Sequence, residues 1–220
     1  MRTFIGLTGV KGSGKTTSFE IIKKAFPSVV EVTLAARLKD TCSKVLGIPR
    51  ASLDDPAVKE KELENLINLD SINTVELIES FGLKPNFDAH IRPHIGKVLH
   101  TPREAAQYVG TEVLRNVEEQ VHCLGATLDL PEDGIFVVTD MRFWNEYNFF
   151  AENTEAEFFP FFVHNYGAEA QLGDNPHASE KYVLEIGEKC QRIDNNGTMA
   201  ELEARVLAAF EDVLAKRKTA

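Results

Sequence analysis

The sequence is short of cysteine, methionine and tryptophan, with three Cys, three Met and one Trp in 220 residues. Cys42, Cys123 and Cys190 are far apart, odd in number and form no C-x-x-C pair. That excludes a disulfide framework and a thiolate metal site, and fits reduced structural thiols of a cytosolic protein. Long apolar runs are missing too: the first, Phe4–Leu7, is too short for a signal peptide or a membrane span. A soluble, cytoplasmic chain without a membrane role is expected. Positive charge is scarce, since 24 Lys and Arg stand against 34 Asp and Glu for a net charge of −10. Such a balance argues against a protein that lives on nucleic acid and leaves room only for a local basic pocket. There is no internal repeat and no low-complexity segment.

What remains is ordinary for a globular chain: 43% hydrophobic and 26% charged residues. The length suits one α/β domain, with room for an inserted cap. Thr3–Thr8 is a short apolar run, followed by a glycine-rich turn and a helical stretch from about Lys15 to Phe26. Val29–Val32 reads as a second strand. A helix from Leu34 to Leu46 should stop at Gly47, and Asp55-Pro56 should open another. Residues 81–100 carry Pro85 and Pro93 without a sustained period, a loop long enough to serve as a flap. Thr101-Pro102-Arg103-Glu104 is a capping box that should start a helix running to about Leu124. Ile135–Thr139 is the most strand-like run, followed by Asp140-Met141-Arg142. Further on come a helix through Asn153, a strand near Phe158–Val163, a polar loop to Pro176, a short helix, and a strand at Gln191–Ile193. The last helix has a Thr198/Glu201 capping box and ends in Lys216-Arg217-Lys218, which suits its dipole. Strands alternating with helices predict a parallel sheet covered on both faces, with ligands beyond the strands' carboxyl ends.

Gly9-Val10-Lys11-Gly12-Ser13-Gly14-Lys15-Thr16 matches G-x-x-x-x-G-K-[ST] in full, between a predicted strand and a predicted helix. Gly9, Gly12 and Gly14 let the backbone curl so that N–H groups, those of Ser13 and Thr17 included, point inward at phosphate oxygens. The helix N-terminus adds partial positive charge. Lys15 reaches the β- and γ-phosphates of ATP, and the Thr16 hydroxyl ligates Mg²⁺. Asp140 could hold the Mg²⁺ water shell as a Walker-B carboxylate does, bind a substrate sugar or base, or simply cap the next helix.

A P-loop alone does not identify a reaction. The guanine-reading N-K-x-D of a GTPase is absent. Small P-loop kinases surround a second anion with cations, because in-line transfer needs two phosphates held together. Lys11, Lys39, Arg103 and Arg142 are candidates for that role, and Arg103, Gln107 and Gly110 fall on one face of the expected helix. Gly110 costs that helix about 1 kcal/mol relative to Ala, which close approach of a ligand or another backbone would explain. Trp144, two residues beyond Arg142, could stack on a base. His90 and His94, with Pro93 between them, do not make a zinc site.

These pieces, in this order, resemble the bacteriophage deoxynucleoside monophosphate kinases: the P-loop at 9–17, LAARLKD at 34–40, TPREAAQYVGTEVLR at 101–115, DMRFWNE at 140–146, HASE at 177–180 and NNGT at 195–198. The resemblance implies a P-loop NTPase fold, a five-stranded parallel sheet with helices on both faces. It further implies a helical monophosphate-binding insertion at about 40–100 and a lid-like loop at about 164–180. The implied activity is Mg²⁺-dependent transfer from ATP to deoxynucleoside monophosphates, in the host cytoplasm if the source is a phage. Lys11, Lys39, Arg103, Gly110, Thr111 and the Asp140, Arg142, Glu146 set would then face the monophosphate, and the Asn195–Gly197 turn would pass the adenine. One departure is that no Arg occurs between Arg142 and Arg192. His164-Asn165-Tyr166-Gly167 stands where relatives often carry a lid arginine, so Lys11, Arg142 or Lys181 would have to supply that charge. Kinases of another small metabolite (dephospho-coenzyme A or a nucleoside) and a non-catalytic nucleotide-gated module remain open, as does a homodimer.

Overall fold

The computed structural model describes residues 1–172 and 178–217. Strand β1 (Arg2–Thr8) leads through the glycine-rich turn into α1 (Lys15–Ala25), and β2 (Val30–Val32) follows. Next come α2 (Ala36–Leu46), α3 (Arg50–Asp54), β3 (Ile67–Asn68), α4 (Ser71–Glu79), β4 (Val98–Leu99), α5 (Pro102–Tyr108) and α6 (Val121–Thr127). The chain then forms β5 (Gly134–Val138), α7 (Trp144–Ala151), β6 (Ala156–His164), α8 (Tyr166–Ala170), α9 (Ala178–Gly187), β7 (Gln191–Asp194) and α10 (Met199–Arg217). Two compact units result, Met1–Thr33 with Leu130–Ala220, and Leu34–Asp129.

The first unit is a five-stranded parallel sheet in the order β2-β5-β1-β6-β7. Strand β1 is central and buried from Thr3 to Thr8, as its near-continuous apolar run requires of a strand covered on both faces. Its side chains alternate between two cores. Ile5 and Leu7 pack with Phe19 and Ile22 of α1 and with Leu202, Val206 and Phe210 of α10. On the other face Phe4 meets Phe136 and Phe150, while a Cβ on Gly6 would lie 2.9 Å from Met141 and from Phe158. The aromatic-rich segments of β6 and α7 are thus core. Helix α10 begins with its expected capping box: Thr198 N donates to Glu201 Oε2 at 2.7 Å, and Glu201 N to Thr198 Oγ1 at 3.3 Å. Lys218 and the 173–177 part of the lid-like loop, which includes Pro176 and His177, lie outside the described residues.

The second unit has its own core of Leu38, Cys42, Leu77, Ile78, Phe81, Leu99, Val109, Val113 and Val121. It spans more of the chain than the 40–100 stretch expected for an insertion. Several local expectations are corrected here. The helix after Thr101 does not run to Leu124: after α5 it widens into a π-helical turn, Val109–Leu114, and α6 starts anew at Val121. Gly110 sits in that turn because a Cβ would lie 2.8 Å from Leu38 Cδ2, so tight packing on α2 explains the glycine. Asp55-Pro56 opens no helix, since the Asp55 carboxylate accepts from Ala57 N at 2.8 Å and closes a turn instead. Residues 81–100 hold a π-helical turn at Phe87–Ile91, a 3₁₀ turn at Arg92–His94 and strand β4, which pairs antiparallel with β3. Helix α4, unforeseen, is capped reciprocally by Asp70 and Asn73.

Phe210 is 1% exposed, and its ring lies 4.5 Å from that of Phe26, just past the end of α1. Phe210→Ala should therefore cost about 3–5 kcal/mol of stability, read as a lowered midpoint in urea unfolding.

Candidate functional site

The glycine-rich turn is built by backbone conformations that side chains resist. Gly9, Gly12 and Gly14 have φ of 150°, 83° and 105°. A Cβ on Gly9 would lie 2.5 Å from Val163 O and Ser13 Oγ, and one on Gly14 would strike the Asn195 amide. The turn is pinned from beneath, with Val10 buried beside Phe162, Ala168 and Val183. Asn195 Nδ2 donates to Ser13 O at 2.8 Å, tying the loop to the end of β7. Helix α1 starts with neither a side-chain cap nor an acidic residue in its first turn. Its leading N–H groups are left for an external acceptor, the arrangement that favours an anion. Among the described residues the buried Ser13 hydroxyl meets no partner, and neither does that of Thr8.

Charge gathers over this loop. Lys15 Nζ donates to Gly9 O at 2.5 Å and to Val10 O at 2.9 Å. Burial, then the Arg142 guanidinium, lower its pKa to about 8, while Glu180 and Asp140 oppose the shift. Gly6 of β1 is in register with Val138 of β5, so Asp140 emerges alongside the start of the loop. Helix α7 begins only at Trp144, so Asp140 is not its cap. Arg142 Nη1 lies 3.8 Å from Glu180 Oε1. Glu180 Oε2 accepts from the backbone N–H of Lys11 at 3.3 Å. The Lys11 side chain and Thr16 are exposed, and Thr17 is partly buried. Among the described residues no three His, Cys, Asp or Glu side chains form a metal cluster. Thr16 and Asp140 offer hard oxygen donors, a set that fits Mg²⁺, which keeps waters and phosphate oxygens as its remaining ligands.

Other residues singled out in the sequence have different surroundings. Glu146 is 5% exposed, and its Oε2 accepts from Arg142 N at 2.7 Å and Phe143 N at 3.1 Å, satisfying the start of α7. Trp144 Nε1 donates to Glu185 Oε2 at 3.1 Å, and its ring meets Tyr147 edge-on. Gly197 is exposed. In the second unit Lys39 pairs with Asp54 at 2.7 Å and Arg103 with Glu60. Gln107 and Thr111 are exposed there, while Gly110 is buried. Sequence reasoning assigned no role to Glu180, whose only signal was the HASE segment, and did not foresee the clamp from Asn195. It also missed Arg192, whose Nη2 lies 2.6 Å from His164 Nδ1 and 3.5 Å from Tyr166 Oη, bringing a guanidinium to the turn where no arginine is encoded.

The strand–loop–helix cradle sits on the central strand of a parallel sheet, at its carboxyl end. This is a P-loop NTPase fold. No protein-family model and no curated protein sequence matches the chain. Among solved structures, a dephospho-CoA kinase from Campylobacter jejuni is similar, with a TM-score of 0.46 and 11% identity, covering 96% of this chain and 97% of that one. Among the described residues no helix is long and apolar enough to cross a membrane.

Because the Lys15 pKa falls from 10.5 to about 8 on folding, the unfolded chain holds a proton between those values that the folded chain has lost. Stability therefore rises with pH across that window. Lys15→Met removes the effect, so the wild type should gain stability relative to this variant between about pH 8 and about pH 10, measured by paired urea titrations.

Proposed function

We propose that the chain is a P-loop kinase that transfers the γ-phosphoryl group of ATP to a deoxynucleoside monophosphate. The observation that carries the reading is the convergence, at one glycine-rich loop leading into an uncapped helix N-terminus, of Lys15, Arg142 and Asp140. An anion-binding loop alone needs only the donors; a second guanidinium beside the lysine suits a group whose charge spreads over three equatorial oxygens during transfer. The choice of acceptor rests on the resemblance of the ordered motifs to phage deoxynucleoside monophosphate kinases. That resemblance assigns acceptor-binding roles to Lys11 in the first unit and to Lys39, Arg103, Gln107 and Thr111 in the second.

In this scheme an oxygen of the acceptor phosphate forms the new bond to the γ-phosphorus, and the bond to the bridging oxygen of the departing ADP breaks. Lys15 gives up the carbonyls of Gly9 and Val10 for the transferring group. Arg142 meets its equatorial oxygens, where a planar fork offers two donors at once. Thr16 and Asp140 would hold Mg²⁺, which when bound would neutralise phosphate charge. The buried carboxylate of Glu146, bonded to the N–H groups of residues 142 and 143, acts by orienting Arg142.

The test is a phosphorylation panel of deoxy- and ribonucleoside monophosphates, with nucleosides and dephospho-coenzyme A as the competing acceptors. Transfer to the deoxynucleotides is expected. Transfer only to dephospho-coenzyme A or to nucleosides would overturn the acceptor, and nucleotide binding without transfer to any acceptor would overturn the kinase. With both substrates saturating, Lys15→Ala should lower turnover by roughly a hundredfold or more. Arg142→Lys should lose turnover on a similar scale, about a hundredfold, because a point charge does not replace the fork. A raised monophosphate KM at unchanged kcat would instead make Arg142 a ground-state binding residue.

A further inference from the structure

The carboxylate of Glu180 lies where the loop expects an anion. One oxygen accepts from Lys11 N, a donor of the glycine-rich turn, at 3.3 Å, and the other faces Arg142 Nη1 at 3.8 Å. The side chain is 14% exposed, less than a surface glutamate needs to be. Lys15 meanwhile turns to the loop's own carbonyls. The Lys11 N–H and the Lys15 amine, two groups that would grip a polyphosphate, are thus already satisfied from within the first unit. A carboxylate cannot remain against these donors once phosphate oxygens arrive, since like charges at contact distance repel.

We infer that Glu180 is an internal placeholder for phosphate: it occupies the cradle in the ligand-free chain and must leave it when a nucleoside triphosphate binds. This rests on the reading of the loop as a triphosphate site and adds to it a built-in competitor. The competitor holds the donors in place while the site is empty and lowers the net affinity for the triphosphate. Glu180 stands in the first turn of α9, the helix whose Val183 is buried beside Val10 of the loop, so the carboxylate is delivered by an element that is itself packed on the cradle.

The experiment is calorimetric titration of the full chain with β,γ-methylene ATP, comparing wild type, Glu180→Gln, Glu180→Ala and Glu188→Gln. The last variant changes net charge equally, just past the end of α9. Partly exposed ion pairs are worth up to about 1 kcal/mol, so both Glu180 variants should bind roughly three- to fivefold more tightly than wild type. Glu188→Gln should bind as wild type does. Equal or weaker binding by folded Glu180→Gln and Glu180→Ala, with wild type still binding, would overturn the placeholder and leave the cradle standing. So would loss of fold in both variants, which would make the carboxylate structural. Equal tightening in Glu188→Gln would reduce the effect to net charge and overturn it as well. Absence of binding in every protein would remove the triphosphate reading itself, and the placeholder with it.

Discussion

Strand β1 is held in register by β5 on one side and β6 on the other, and both of its faces are covered, by α1 and α10 on one and by the Phe136, Phe150 and Phe158 layer on the other. Such a strand has no freedom to shift, because a slip of one residue would exchange its two cores. The turn after it must begin at Thr8 and reach α1 within a few residues. Between Val163 O and the Asn195 side chain there is no room for a Cβ at Gly9 or Gly14. The conformation of the loop is therefore imposed by the sheet; within it Ser13 N, expected to face phosphate, donates to Val10 O at 3.1 Å. The chemistry proposed for the site needs donors that are fixed before the ligand arrives, and this framework supplies the rigidity.

A rigid cradle of donors next to Lys15 and Arg142 poses a second problem, since buried or half-buried charge left unsatisfied is costly. The structure answers it locally. The amine lies on two carbonyls, and its pKa is lowered to about 8 chiefly by burial. Lys15 thus stays mostly protonated near physiological pH but holds that proton less firmly than a surface lysine, and bound phosphate would secure its charge. The same logic accounts for Glu146, whose buried carboxylate is acceptable only because two backbone donors converge on it.

The features legible in the sequence are those in which spacing encodes backbone geometry. The glycines at 9, 12 and 14 report three positions of positive φ, and the Thr198/Glu201 pair reports a helix start. The β-branched and aromatic runs report buried strands. Residues 109–114 carry no such signal, because a π-helical turn uses the same residues as an α-helix. Asp55-Pro56 misleads because the Asp side chain caps a turn as readily as a helix. Strands β3 and β4 are two residues each, below any periodicity. Glu180, Asn195 and Arg192 act through contacts that bridge distant stretches of chain, and no local pattern reports those.

Three cations of the proposed machinery have a carboxylate beside them in a chain whose net charge is −10. Arg142 faces Glu180, Lys39 binds Asp54, and Arg103 binds Glu60. These pairs are exposed or partly so, and pairs of that kind contribute little to stability, up to about 1 kcal/mol each. A ligand that takes the cation over therefore gives up little folding free energy, but it must still outcompete a monoanion at close range. A neutral sugar hydroxyl cannot do so. A phosphate can, because it carries more charge and offers an arginine two oxygens at once.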